Sequence, residues 1–356
     1  MNRKRKAFKS RIRPRRESNR AKRRKRSKSQ QTLEQPKDDG TIPDVQKCFL
    51  TYQQITNYLA TLADKYPSKL MLSDIGLSVK GHAILMAKVL MGGHGVTSSN
   101  SKSSPYQEGE TYCRCAANRT ITFIEAGSNG CDWISIAAAL YMIDHLVKSE
   151  PQQTNIDYFI VPCSNPDSYT DSFTPGNTLV NLSVNYPIIL GTSDMSRIKN
   201  QLFIKTIMEW KQSYRHRRPE STALIHTIDT FQGNIKLFVS LQEGASKPKI
   251  LYPYGSNSDM LPDADMVTHI AKSALSMTHK LSFNVGSIYN VCGLTFGSII
   301  DYLAITRGLN FSYVMHINNR LIQPNASKIQ KVGKDVVVTI TSMAKEAKSW
   351  CDSQAF

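Results

Sequence analysis

Apolar side chains recur along this chain first at helical and then at strand spacing. Tyr52, Ile55, Tyr58, Leu59 and Leu62 share one face of a 3.6-residue period, which predicts a helix over Tyr52–Tyr66 stopped by Pro67. Leu70–Ser78 and Ile84–Met91 read as two strands around a Val79-Lys80-Gly81-His82 turn. A Gly/Ser/Pro-rich loop runs from Gly92 to Glu110. Thr120–Glu125 and Tyr158–Val161 are short, nearly unbroken apolar runs of strand length, and Ile134–Lys148 between them is an apolar helix. Ile235–Ser240 and Phe311–Ile317 read as further strands, and Asp263–Leu281 as a helix between them. Lys334–Ser349 reads as a closing helix despite the β-branched run Val336-Val337-Val338. Strands alternating with helices predict an α/β fold with a largely parallel sheet. No internal repeat is visible, and no apolar run nears the ~20 residues of a membrane-spanning helix, so no membrane partner is expected.

Charge divides the chain. The 356 residues carry 45 Lys+Arg against 28 Asp+Glu, a net +17. Residues 1–31 hold 16 of the basic residues and one acid, Glu17, so +15 sits there and +2 on all the rest. Residues 1–42 are therefore expected to be a disordered basic tail, and residues 43–356 a folded domain. The Lys/Arg clusters between residues 3 and 28 have the composition that binds an import receptor or a nucleic acid, which predicts a nuclear location. A solvated tail without a specific partner is the plainer alternative.

The seven cysteines, Cys48, Cys113, Cys115, Cys131, Cys163, Cys292 and Cys351, are odd in number and too sparse for a disulfide scaffold. Most are expected to be buried or free thiols, a disulfide from Cys113 or Cys115 being the alternative. No apolar segment of a secretory signal follows the N-terminus. Four Asn-x-Ser/Thr sequons, at Asn118, Asn181, Asn310 and Asn325, are then expected to be fortuitous.

Several ordered motifs carry a resemblance. They are Tyr52-x₅-Tyr58-Leu59 with Lys65-Tyr66-Pro67, Ile75-Gly76-x-Ser78 with Gly81-x-x-Ile84, and Ala126-Gly127-Ser128-Asn129-Gly130-Cys131-Asp132-Trp133-Ile134-Ser135. Asn165-Pro166-Asp167, Tyr252-Pro253-Tyr254-Gly255, Ile288-Tyr289 and Gly297 to Asp301 follow. Together, from about Thr51 to Met343, they resemble the zinc carboxypeptidase (peptidase M14) family of the pancreatic type. The resemblance implies a twisted mixed sheet of about eight strands with helices on both faces. It also implies a zinc site at the carboxyl ends of the central strands, a general-base Glu, a clamp for the terminal carboxylate and a tyrosine over the substrate. Many relatives in that family are secreted, so an extracellular location is the alternative to a nuclear one.

The chemical positions depart from that pattern. The first zinc-ligand His falls on Asn129, the ligand Glu on Asp132, and the second His on Gln242, with Glu243 as a second candidate because the segment runs two residues longer. The general-base position falls on His316, and the carboxylate clamp on Ser183, Val184 and Cys131. Tyr289 keeps the tyrosine, and Ile299 and Ile300 stand where an apolar side pocket is expected. Zinc sites draw about 10–16 kcal/mol from deprotonated ligands, and replacing two imidazoles with neutral amides removes most of it. Losing the base costs a further ~10²–10⁴ in rate. Simpler roles are available for what remains: Asp132 as a cap of the following helix, Cys131 as an inert thiol at the helix start, His316 as a rim residue. The expectation is an inactive carboxypeptidase-like protein without a cofactor, which binds a peptide or protein in the former cleft. The alternatives are an active metallocarboxypeptidase holding zinc, and a nucleic-acid-associated protein acting through its tail.

Overall fold

The computed structural model describes residues 44–92, 119–150, 154–174, 176–188, 201–214, 217–244, 247–276, 283–319 and 324–354. The basic tail over 1–42, most of the Gly/Ser/Pro loop, and Cys113, Cys115 and Leu281 lie outside these residues.

Eight strands form one sheet in the order β1-β2-β4-β3-β5-β8-β6-β7. They are β1 (Leu70–Leu77), β2 (Ala83–Val89), β3 (Thr120–Ala126), β4 (Ile156–Val161), β5 (Ile235–Gly244), β6 (Lys249–Tyr252), β7 (Asn284–Ser287) and β8 (Ser312–Asn319). The four central strands, β4, β3, β5 and β8, are parallel, while β2 joins β4 and β6 joins β8 antiparallel. Every residue of β3 and β4 is buried, as expected of parallel strands covered on both faces. This is the mixed, largely parallel eight-stranded sheet that the resemblance implied.

Nine α-helices occur among the described residues: α1 (Tyr52–Lys65), α2 (Trp133–Lys148), α3 (Pro166–Ser172), α4 (Gln201–Tyr214), α5 (Pro219–Phe231), α6 (Ala264–Ser276), α7 (Ile288–Cys292), α8 (Ile299–Arg307) and α9 (Ile329–Ser353). On one face of the sheet, α9 packs against both α2 and α6. The crossing of α2 and α9 is close: a Cβ on Gly333 would lie 2.4 Å from the Tyr141 ring. Val336 and Val337 are buried and Val338 is 40 % exposed, so burial along α9 outweighs the weak helix propensity of its β-branched run. On the other face, Leu224, Ile225, Ile228 and Phe231 of α5 and Ile299, Ile300 and Leu303 of α8 join Phe123, Phe159, Phe238 and Val314 of the strands in one apolar cluster.

The helix starts show why several motifs exist. Thr51 and Gln54 cap α1 reciprocally, each side chain accepting from the other's backbone N–H. In Asn165-Pro166-Asp167, the Asn165 side chain accepts from Ser168 N at 3.2 Å and Pro166 opens α3. Asp167 accepts from Ser78 Oγ (2.5 Å) and Lys80 N (2.9 Å) and meets His82 Nδ1 at 2.8 Å, so it holds the β1–β2 turn.

Candidate functional site

The parallel strands end on a cavity of about 290 Å³, in the place where open α/β sheets put their ligand sites. Asn129 reaches it from the loop after β3, Gln242 and Glu243 from the end of β5, and His316 from β8. Gln242 and His316 are register partners, which fixes them side by side. Ser183 and Val184 line the same cavity because Leu182 N donates to Ser128 O at 3.0 Å, laying their loop across the end of β3. Five positions that the family resemblance selected therefore do meet: Asn129, Gln242, His316, Ser183 and Val184.

Gly297 shapes the neighbouring wall. Its φ is +74°, and a Cβ there would lie 2.5 Å from both the Trp210 ring and Val184 O. Only glycine allows that approach without displacing backbone.

Of the three positions that the resemblance assigned to zinc, Asn129 and Asp132 are hydrogen-bonded to each other, while Gln242 is held elsewhere. Asp132 is fully buried; its Oδ2 accepts from Asn129 N and Asn129 Nδ2, both at 3.1 Å, and its Oδ1 accepts from Glu243 N at 3.2 Å. Burial, and then the neighbouring Glu243 carboxylate, push the Asp132 carboxyl well above the usual carboxylate range. Asp132 occupies the N-cap position of α2, yet its side chain makes no capping bond. This corrects the expectation of an Asp132 cap. Glu243 performs the task instead: its Oε1 accepts from Ile134 N at 2.6 Å and its Oε2 accepts from Asn318 Nδ2 at 2.8 Å. The geometry explains the exchange, because Asp132 turns back to satisfy its own loop and leaves the helix N–H to a carboxylate arriving from β5.

A buried carboxylate lies below. Glu125 of β3 accepts from the hydroxyls of Ser128, Ser164 (2.6 Å) and Ser240 (2.5 Å). Burial raises its carboxyl pKa, against the lowering effect of the three serines. Gln242 Nε2 donates to Ser240 Oγ at 2.8 Å, so the amide is anchored through serine to Glu125. Nothing in the motif comparison pointed to Glu125, although Ser128 and Ala126 stand beside it in the sequence.

The remaining candidates stand apart from the cavity. Tyr289 lies on α7, where Ile288 and Cys292 line the cavity and Tyr289 does not; its N–H donates to Tyr254 O at 2.9 Å. Cys131 is half-buried and off the cavity wall. Ile299 and Ile300 are buried in the apolar cluster beneath α8 rather than in a side pocket. Trp133 is a packing residue: its ring meets Phe49, Tyr169 and Phe173, and its Nε1 donates to Ser172 Oγ. Lys249 of β6 and Cys292 were not foreseen; both line the cavity, with Lys249 Nζ 3.6 Å from Cys292 Sγ. Of the described cysteines, Cys48, Cys163, Cys292 and Cys351 are free thiols.

Zinc does not fit this donor set. The amides of Asn129 and Gln242 lack a basic nitrogen lone pair, and both turn their NH₂ groups towards neighbouring oxygens. The Asp132 carboxylate is occupied by three N–H donors. Among the described residues, no group of three or more His, Cys, Asp or Glu side chains is placed to hold a metal ion. No helix among them is long and apolar enough to cross a membrane.

Comparison with known proteins places this geometry. The zinc carboxypeptidase family model matches residues 55–339. Zinc carboxypeptidase A 1 of Drosophila melanogaster is 24% identical over 320 residues, covering 82% of this chain and 68% of that protein. Carboxypeptidase A1 of Mus musculus is 24% identical over 296 residues, and the match spans 76% of this chain and 62% of the mouse protein. In fold, the chain superposes on bovine thrombin-activatable fibrinolysis inhibitor, solved with a tick carboxypeptidase inhibitor, with a TM-score of 0.66 at 15% identity, covering 86% of this chain and 99% of the other. With the sheet order, the cavity at its carboxyl edge and a family match over most of its length, the chain belongs to the zinc carboxypeptidase family, as a member in which no metal-holding group of His, Cys, Asp or Glu side chains stands among the described residues.

Proposed function

We propose that this protein is a non-catalytic binding protein that receives a peptide or protein ligand in the former catalytic cleft. One observation carries the reading: the cavity of about 290 Å³ persists at the carboxyl ends of β3, β5 and β8, while the metal and base positions on its walls are two amides and a histidine. Hydrolysis in this family type needs a polarising metal and a base. The metal requirement is not met by Asn129 and Gln242, whereas binding needs only a shaped cavity with a few polar groups. The test is a pair of measurements on the full chain: release of C-terminal residues from a peptide mixture, and retention of peptides from the same mixture. Retention without release supports the reading, and release with turnover overturns it.

The +15 of residues 1–31 supports a second element, an import receptor or nucleic acid as partner and a nuclear location. Deleting residues 1–31 should abolish binding to a mixed-sequence duplex, and that binding should fall steeply with salt. Duplex affinity unchanged by the deletion would remove this element.

A further inference from the structure

Two buried amides on the cavity wall keep their oxygens unpartnered. Asn129 and Gln242 are 6% and 4% exposed, and both line the cavity. Gln242 Nε2 donates to Ser240 Oγ at 2.8 Å, and that hydroxyl donates in turn to Glu125 Oε2 at 2.5 Å. With its proton committed, Ser240 Oγ can only accept, which fixes the Gln242 NH₂ group against it. Asn129 Nδ2 is likewise placed on Asp132 Oδ2 at 3.1 Å. Neither Gln242 Oε1 nor Asn129 Oδ1 has a partner among the described residues, and neither is sealed from open space. The wall therefore offers two neutral acceptors to whatever enters.

The charges around them are of mixed sign and do not select an ion. Lys249 and Glu243 line the same cavity with opposite charges. Burial and the Glu243 carboxylate push Asp132 towards its neutral form. His316 stands directly beside Gln242 and is the register partner of Lys249, and its imidazole donates in either tautomer. A carboxylate entering here would set its oxygens against Gln242 Oε1 and Asn129 Oδ1, and an ammonium would face Lys249. Either ion would give up its hydration without a matching countercharge. A primary carboxamide meets the wall better: two N–H donors for the two acceptors, and one carbonyl oxygen for Lys249 Nζ or His316. Leu251, Ile288 and Val314 supply apolar wall for an adjoining side chain. At about 290 Å³ the cavity stands at the lower end of ligand pockets, roughly 300–1,000 Å³, which suits one terminal residue.

We propose that the cavity selects peptides whose C-terminus is a primary amide, the terminal NH₂ donating to Gln242 Oε1 and Asn129 Oδ1. This rests on the reading of the cleft as a peptide site and names the end group that the site reads.

Calorimetric titration of the full chain at pH 7 with acetyl-alanyl-leucine carrying a terminal amide, methyl ester or carboxylate tests it. The expected result is the amide bound at least about tenfold more tightly than the ester and the carboxylate. Gln242→Leu should lower amide affinity to that of the ester and leave ester binding unchanged. That variant is chosen because Ser240 Oγ keeps its bond to Glu125 when the amide is lost; its unfolding midpoint is measured alongside, and the comparison of the three peptides on the parent stands without it. Ester or carboxylate bound as tightly as the amide, or an amide preference kept in folded Gln242→Leu, overturns the end-group assignment and leaves the cleft as a peptide site. Absence of binding by all three up to about 1 mM overturns both.

Discussion

Replacing Asp132 with alanine asks whether this position is kept for the fold or for chemistry. The carboxylate accepts from Asn129 N, Asn129 Nδ2 and Glu243 N, and it is fully buried. Alanine leaves two backbone N–H groups without an acceptor; Asn129 Nδ2 can turn to the cavity and find water. A buried unsatisfied donor costs about 1–3 kcal/mol, so the two backbone groups cost about 2–6 kcal/mol. Removing a buried carboxyl that Glu243 already disfavours as a charge returns part of that. The expected net loss is about 2–4 kcal/mol, with a smaller loss for Asp132→Asn, which keeps one carbonyl oxygen. Urea unfolding followed by far-ultraviolet circular dichroism gives the value, provided the slope with denaturant is unchanged. A variant as stable as the parent, or more stable, would refute the reasoning, because groups held for function at the expense of stability behave that way when removed.

Other outcomes follow from the same contacts. Arg119 and Asp157 form a buried two-armed ion pair, with Nε–Oδ2 and Nη2–Oδ1 both at 2.6 Å. Asp157→Asn should destabilise by about 3–5 kcal/mol in denaturant unfolding, and a cost below about 1 kcal/mol would contradict the burial argument. Burial pushes Asp301 up to about 6, although Gly255 N and Ser256 N donate to it. A carboxyl raised in the folded state contributes stability below its unfolded value near 4 and loses that contribution as pH rises through about 6. Unfolding free energy should therefore carry a falling component on the order of 3 kcal/mol between about pH 4 and 6, absent in Asp301→Asn; equal slopes in both proteins would contradict it. Asn129→His with Gln242→His should restore zinc binding beside Asp132, read by calorimetry, whereas peptidase activity should stay low because His316, Ser183 and Val184 remain. No gain in zinc affinity would mean that a ligand position has been misplaced.

How far the sequence foretells the structure depends on the interaction involved. The apolar runs at Thr120–Glu125 and Tyr158–Val161 locate β3 and β4 because buried parallel strands need continuous apolar sequence. The strands β6 and β7 have four residues each and mixed burial, too little pattern to register. The helix α5 carried a legible start, Pro219 followed by Glu220 in its first turn, that went unread. Likewise β5 continues beyond Ser240 to Gly244, because Gln242 and Glu243 are polar residues buried by the loop and helix they serve.

The site shows the same division. Motif spacing located Asn129, Gln242, His316, Ser183 and Val184, whose neighbourhood follows from the parallel register of the central strands. Lys249 and Cys292 reach the cavity through the β6–β8 pairing and through α7, contacts that no local spacing records. The exchange of roles between Asp132 and Glu243 was equally hidden, since it depends on which carboxylate points at Ile134 N. Motif residues with work in the fold are present: Asn165 caps α3, Asp167 holds the β1–β2 turn, and Asp301 holds Gly255 and Ser256. Of the positions that the resemblance assigns to ligands and base, Asn129 and Gln242 are amides, Asp132 keeps a carboxylate and His316 is a histidine.

The central claim is that the cleft binds without zinc and without hydrolysis. Its most direct test is the zinc content of the purified full chain after equilibration with micromolar zinc, measured with C-terminal residue release from peptides in the same sample. The account predicts less than about a tenth of an equivalent of zinc lost on Asn129→Ala with Gln242→Ala, and no release above buffer. One equivalent of zinc lost in that double variant, together with turnover in the parent, would contradict it.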